Sequence, residues 1–278
     1  MRATKINKKT PLVSVIIPTY NSLRTIEKCL QAIKKQTYPS VEIIVVDSKY
    51  YDKNNQKICK TIIKKYAKYF LDGPERSIQR NRGIKEAKGE YIAIIDQDMY
   101  LTENVIKDCV TRIEKNHSIA LTIPEISIGE GFWTKTVALD RYVTTYLEKG
   151  ENECCRFFRK KDALAIDGFD TSLVGVEDAD FHYRMGKHGK IGKSSEVIYH
   201  DEGRTDFVKR VKKKYYYSKA FRDFIKRSPA SATGQFFPIK SAYFKHWKIL
   251  IKNPIITIGL VTLRASEVMA GVFGLLFS

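Results

Sequence analysis

Several things that would mark a secreted or modular protein are missing from this chain. Its five cysteines (Cys29, Cys59, Cys109, Cys154, Cys155) are odd in number and form no C-x-x-C pair. That excludes a fully paired disulfide framework and leaves buried, reduced thiols as the expectation. Met1 to Thr10 is basic, but no apolar stretch follows it. No signal peptide is therefore expected, and the main domain is expected to face the cytosol. No low-complexity tract and no repeat of solenoid length interrupts the sequence. Acidic residues are in short supply: 31 Asp/Glu stand against 49 Lys/Arg, a net charge of +18.

What is present is enough for a full-sized core. The chain has 278 residues, 43% of them hydrophobic and 29% charged, the balance of a folded soluble protein. The charge is uneven. Residues 204–278 hold 15 Lys/Arg and 3 Asp/Glu, a net of +12, which is two-thirds of the excess in the last quarter of the chain. Such a region seeks phosphates, on a lipid surface or on a nucleic acid.

From Val13 onward, β-rich runs alternate with helical patterns. Val13–Pro18, Val41–Val46, Tyr91–Ile95 and Ile119–Ile123 read as buried strands. Helices are expected over Ser22–Gln36 with Ser22 as cap, over Asn54–Tyr69, and over Ser77–Lys88 closed by Gly89. A further one is expected over Thr102–Asn116, capped by Thr102. Strands apolar throughout, each followed by a helix, indicate a mostly parallel α/β sheet covered on both faces. Polar clusters fall just after strand ends, at Thr19–Asn21, Asp47 and Asp96–Asp98. That is the sheet edge where ligands bind.

The second half is less regular. Phe132–Lys149 reads as a helix, Cys154–Phe158 as a strand, and Lys161–Ile166 as a short helix closed by Gly168. Glu177–Lys187 reads as a helix, Glu196–Tyr199 as a strand running into His200, and Thr205–Arg227 as a long basic helix. A boundary near Gly203 divides a catalytic domain (1–203) from a C-terminal appendage (204–278).

Asp96-Gln97-Asp98 sets two carboxylates two residues apart where a buried strand ends. They can converge on Mg²⁺ or Mn²⁺, which prefer hard oxygen ligands, with phosphates completing the shell. Alone, such a triplet serves equally well in a turn or a helix cap. Its neighbours give it meaning. Pro18-Thr19-Tyr20-Asn21 and Val46-Asp47 follow the first two strands, and Gln79-Arg80-Asn81-Arg82-Gly83 and Ala87-Lys88-Gly89-Glu90-Tyr91-Ile92 precede the triplet. Gly168-Phe169-Asp170, Gly175-Val176-Glu177-Asp178 and Arg184 come after it. In that order, over residues 12–203, the chain resembles the family-2 inverting glycosyltransferases of the GT-A fold.

The resemblance implies roles for these positions. Pro18 to Asn21 and Asp47 would line a nucleotide pocket, with Arg80 holding the nucleotide. Asp96 would lie near the ribose and the metal, and Asp98 on the metal itself. His200 would be a further metal ligand, since neutral imidazole suits Mn²⁺. Glu177-Asp178 would be the catalytic acidic pair, with Asp178 the general base that takes a proton from an acceptor hydroxyl. The donor would be a nucleotide-diphosphate sugar. Ser48-Lys49-Tyr50-Tyr51-Asp52 departs from the acidic or small turn usual in the family, which leaves UDP and GDP both open. A nucleotidyltransferase, the nearest rival, would carry a glycine-rich basic loop after its first strand, and none is there.

Between Arg204 and Arg227, ten Lys/Arg are interleaved with Tyr and Phe, a pattern that suits a headgroup layer or a single-stranded nucleic acid. The apolar tail decides for a membrane. Pro254–Ser278 has bilayer length, and Asn253, Thr257, Arg264, Glu267, Gly271, Gly274 and Ser278 trace one narrow polar or small seam along it. It could span or re-enter the bilayer, lie in its plane, or dock as a core helix. The expected setting is the cytoplasmic face of a cell membrane, with an anionic lipid surface and a lipid-linked saccharide or polyprenyl-phosphate acceptor as partners, and no nucleic acid. A non-catalytic basic module is the remaining alternative.

Overall fold

The computed structural model describes residues 10–148, 154–227 and 241–277. Most of the basic N-terminus, Lys149 and Ser278 lie outside the described residues.

Seven strands form the main sheet: β1 (Val13–Thr19), β2 (Val41–Ser48), β3 (Lys68–Asp72), β4 (Tyr91–Ile94), β6 (Ala120–Thr122), β8 (Cys155–Arg159) and β9 (Ile191–Lys193). Their order is β3-β2-β1-β4-β8-β6-β9. Pairing is parallel from β3 to β4 and between β6 and β9, while β8 runs antiparallel to both its neighbours. Side chains alternate across each strand, so one strand feeds two cores. Val13, Val15 and Ile17 pack with Cys29, Leu30 and Ile33 of α1 (Ile26–Lys34), Cys59 and Ile63 of α2 (Lys53–Ile63), and Ile106, Cys109 and Ile113 of α4 (Val105–Lys115). Ile16, Ile44 and Val46 point the other way, towards Ile84 of α3 (Arg76–Glu86), Ala163 of α6 (Lys160–Ala165) and Phe181 and Met185 of α7 (Glu177–His188). Each such buried aliphatic side chain contributes about 1.5–3 kcal/mol.

A second sheet of three strands, β5 (Met99–Leu101), β10 (Ile198–Arg204) and β7 (Glu125–Glu130), sits beside the first. Between β7 and β10 the chain forms α5 (Phe132–Arg141) and a π-helical turn (Tyr142–Tyr146), and after β10 come the long α8 (Phe207–Arg227), the short α9 (Ser241–Lys245) and α10 (Trp247–Ile251), and α11 (Pro254–Phe277).

The structure corrects several expectations. The basic run after Asn54 does not stay helical to Tyr69: α2 stops at Ile63, and Lys68–Asp72 becomes the edge strand of the sheet. Tyr69 and Phe70 are β-formers, and pairing with β2 rewards extension there. Ser22 caps nothing with its side chain; the N-cap of α1 is Thr25. Thr102 gives its hydroxyl to Glu196 at 2.8 Å, and Asn104 takes the cap position. Gly89 is not a helix terminator either, since Ala87 caps α3. It is needed because a Cβ there would stand 2.6 Å from Ser14 Oγ. The expected helix from Phe132 gives way to the π-turn at Tyr142. Gly168 does close α6, with φ +65° and its N–H on the Ala163 carbonyl. Strands β5, β7 and β9 had no expectation at all. Cys29, Cys59, Cys109 and Cys155 are buried free thiols, and Cys154 is half-buried.

Candidate active site

The site forms where β1, β2 and β4 end. Helix α3 is clamped against this edge in two ways. Gly83 lies so close to Ile16 that a Cβ would meet it at 2.3 Å. Gln79 donates from one amide nitrogen to the carbonyls of Thr19 (2.8 Å) and Val46 (2.9 Å), tying together the ends of β1 and β2. The next residue, Arg80, is thereby driven into the centre of the molecule, where it is completely buried.

A buried guanidinium needs carboxylates, and Arg80 has three. Nη1 lies 2.6 Å from Asp178 Oδ1 and 3.5 Å from Glu177 Oε1, and Nη2 lies 3.3 Å from Asp96 Oδ1. The ion chain continues from there. Asp96 Oδ2 is 3.3 Å from Arg156, and Arg156 Nε is 2.5 Å from Glu125. Glu125 Oε2 is 3.1 Å from His200 Nδ1, and His200 Nε2 is 3.6 Å from Asp98 Oδ1. One unbroken path of alternating charge thus joins Asp178 to Asp98. Only its two ends open appreciably outward, Asp178 by 35% and Asp98 by 32% of side-chain surface.

The electrostatics follow from the partners. Burial would raise the Asp96 carboxyl, but Arg156 and Arg80 outweigh it and hold the group well below the usual carboxylate range. Burial works against a charge on His200, yet the Asp98 and Glu125 carboxylates push its imidazole up to about 10. The His200 ring stands between two carboxylates, Glu125 and the open Asp98, with Arg141 Nη1 also 2.7 Å from its Nδ1. Glu177 is almost fully buried, with Oε1 on Arg76 at 3.0 Å and Oε2 lacking a hydrogen-bond partner.

The residues expected to line a nucleotide pocket lie at the same edge. Pro18 and Thr19 pair with Val46 and Asp47 across the β1–β2 register. Tyr20 exchanges two hydrogen bonds with Gln97, through its N–H at 2.8 Å and its carbonyl at 3.2 Å. Asn21 adopts φ +48°, a left-handed conformation asparagine tolerates. Asp47 is not turned outward. It is completely buried and accepts hydroxyls from Thr19 (2.7 Å), Tyr51 (2.7 Å) and Tyr69 (2.9 Å). Burial raises its carboxyl despite those three donors. The Tyr51 that closes over Asp47 also packs against the exposed Tyr20, ring centroids 5.6 Å apart.

Arg80 likewise binds carboxylates and does not face open space. The guanidinium with more room is Arg76, 43% exposed. Above it lies α8. Tyr217 of that helix packs on Gly175, which has φ +84°, and Lys213 stands 5.5 Å over the Tyr217 ring. Partial desolvation and repulsion from Arg76 and Arg210 hold Lys213 below the usual lysine range. The basic helix is therefore a wall of this site. Sequence reasoning missed Arg76, Glu125, Arg156, Lys213, Tyr217 and Arg141, whose Nη1 lies 3.1 Å from Glu125 and 2.7 Å from His200 Nδ1. For Arg156 a signal existed, a charge within an apolar strand.

Among the described residues no three His, Cys, Asp or Glu side chains converge as a ready-made metal centre. Asp96 is engaged by two arginines. Asp98 supplies a hard oxygen, and His200, on giving up its Nε2 proton to an incoming cation, an imidazole nitrogen close by. That donor set fits a divalent cation taking its remaining ligands from a diphosphate.

A mostly parallel sheet with helices on both faces, a D-x-D at its edge and a second acidic pair facing it define the GT-A class of glycosyltransferase fold. The profile described as Glycosyl transferase family 2 matches residues 14–166, and the chain belongs to that family. Relatives include the glycosyltransferase GlyG of Streptococcus pneumoniae (34% identical over 108 residues, 37% of this chain and 36% of that one). The minor teichoic acid biosynthesis protein GgaB of Bacillus subtilis is 29% identical over 209 residues, 69% of this chain and 23% of its own. The chain spans between a fifth and about a third of the length of such relatives. Mannosyltransferase PcManGT of Pyrobaculum calidifontis, solved with GDP-Man and Mn²⁺, superimposes with TM-score 0.65 at 16% identity, covering 97% of this chain and 88% of that one. Staphylococcus aureus TarS 1–349 with UDP-GlcNAc gives 0.56 at 19%, covering 95% and 90%. At these identities the likeness carries the fold.

Proposed function

We propose that the chain is an inverting glycosyltransferase that moves a sugar from a UDP- or GDP-linked donor to a hydroxyl of a lipid-linked saccharide in cell-envelope glycan synthesis. The acceptor would be met at the cytoplasmic face of an anionic membrane. The observation that carries this reading is the ion chain from Asp178 to Asp98, which holds two half-open carboxylates at fixed positions on either side of buried arginines. The names of GgaB and of TarS, a poly(ribitol-phosphate) β-N-acetylglucosaminyltransferase, support the envelope setting.

In this reading Asp178, oriented by Arg80, accepts the acceptor hydroxyl proton as that oxygen bonds to the anomeric carbon. The anomeric bond to the diphosphate breaks in the same displacement, and the configuration inverts. Glu177 fixes Arg76 and Arg80 and so helps aim Asp178. Asp98 and His200 would hold Mn²⁺ or Mg²⁺, which when bound neutralises charge on the departing diphosphate. Arg76 and Lys213 face the same charge from the protein side. Tyr20 and Asn21 form the floor for the nucleotide, with Thr19 and Asp47 beneath it under Tyr51.

A thermal-shift panel of UDP- and GDP-sugars with Mn²⁺ or Mg²⁺ selects the donor, and product NMR then reads the anomer. A shift with one nucleotide class and an inverted product are expected. No stabilisation by any nucleotide, or a retained anomer, would overturn the reading.

A further inference from the structure

Helix α11 is divided cleanly along its length. Counted at 3.6 residues per turn, Ile255, Ile258, Val261, Val268, Met269 and Val272 fall within one arc of about 140°, and all are exposed. No charged residue enters that arc. The opposite arc carries the seam seen in the sequence, and the rest of the protein uses it. Gly259 touches Phe132 and Thr136 of α5, and Gly274 lies against Ser218 and the Tyr215 carbonyl of α8. Leu260 and Leu263 are buried. Glu267, 4% exposed, receives Arg210 of α8 at 2.7 Å and Arg264 at 2.8 Å, and Arg264 also pairs with Asp140 of α5.

This arrangement separates the three geometries open to an apolar helix of this length. A core helix would be covered all round, and α11 is not. A spanning helix would have to leave α5 and α8, stranding the Glu267 and Arg264 charges in hydrocarbon. A helix lying flat keeps its polar arc on the protein and gives its apolar arc to lipid. The approach to α11 has the matching rim. Phe244 and Trp247 are exposed on α9 and α10, and Lys248 and Lys252 are exposed among them. Half-wet aromatics and free cations of this kind suit a headgroup layer.

We infer that α11 docks in the plane of an anionic bilayer, one face in the acyl boundary and the other still clamped on α5 and α8. This rests on the membrane setting of the proposed function and adds the surface and its orientation.

The test uses the full chain with vesicles of phosphatidylglycerol and phosphatidylcholine. The chain has two tryptophans, Trp133 and Trp247. Trp133 packs between Phe132 and Phe207, with ring centroids 4.9 and 4.4 Å away. In a Trp133→Phe, Trp247→Phe background, single tryptophans are placed by Ile258→Trp, Ala265→Trp and Val272→Trp, and quenching by shallow and deep brominated lipids is compared. Equal, shallow quenching at all three positions is expected. Val261→Glu with Met269→Glu is expected to lower vesicle affinity by about tenfold or more, since both remove apolar burial. A depth gradient, deepest at Ala265→Trp, would overturn the in-plane orientation. Absence of quenching with dimerisation in solution would overturn the lipid assignment and give the face to a second copy. Nucleotide thermal shift on the same variants reports folding, and its loss throughout would fault the enzyme reading instead.

Discussion

The Tyr217 ring lies on the backbone of Gly175, so close that a Cβ at Gly175 would stand 2.5 Å from its Cγ. Gly175 also has φ +84°, which other residues rarely adopt. Gly175→Ala is therefore expected to lower the unfolding free energy by about 2 kcal/mol or more. Adding Tyr217→Ala should return the steric part and leave the backbone part. Denaturant melts of the three variants check this, and additive losses in the double variant would refute the contact.

Asp178→Asn is expected to fold and to bind donor within a few-fold of the parent, because Arg80 keeps Glu177 and Asp96. Transfer should fall by about 10²-fold or more, the scale of a lost general base. Single-turnover assays on a hydroxyl acceptor measure it. Near-normal transfer would remove Asp178 from that role and point to an acceptor already ionised, such as a phosphate.

Asp98→Asn takes a charged oxygen from beside His200, 3.6 Å away in the parent. Calorimetry of UDP and GDP should show Mn²⁺-dependent affinity in the parent and only the metal-free level in the variant. A variant that keeps its full Mn²⁺ enhancement would clear Asp98 of metal binding.

Tyr51→Phe leaves the buried Asp47 with one hydroxyl donor fewer. A loss of about 1–2 kcal/mol is expected, the range for exposing an unmet need in a buried polar group. Tyr69 still donates to the same oxygen, Asp47 Oδ2, but the Tyr51 ring that its hydroxyl anchors packs against Tyr20, so relative affinity for UDP and GDP should change as well. Melts and calorimetry on one preparation read both, and an unchanged melt would show that Tyr69 and Thr19 suffice.

The residues legible in the sequence were those whose chemistry is local. Val13–Pro18 and Val41–Val46 announce themselves as runs rich in β-branched residues, Asp47 and Asp96 come directly after such runs, and Asp98 stands two residues on. Less legible were residues whose meaning comes from a distant partner. Arg80 could be singled out by its motif, but nothing local says that it meets Asp178, 98 residues away. Glu125 and His200 meet only because β7 and β10 pair, and β7 alternates buried and half-buried residues over too few positions to read as a strand. Tyr217 sits in a helix whose pattern suggested an appendage, and only the fold brings it over Gly175. The seam on α11 was visible, but its partner was not: α5 and α8 take it.

The pairing of Arg210 with Glu267 makes the outer helix and the wall of the cleft parts of one balance sheet of affinities. Arg210 and Lys213 share a helix with Tyr217, so whatever steadies α11 also steadies the lining that faces Arg76 and Glu177. Linkage then runs both ways by necessity. If contact with lipid tightens the hold on a nucleotide sugar by some factor, the bound nucleotide sugar tightens the hold on lipid by that same factor. A loaded chain would dwell at the surface longer than an empty one, and the two wings of the molecule would exchange information without any moving hinge.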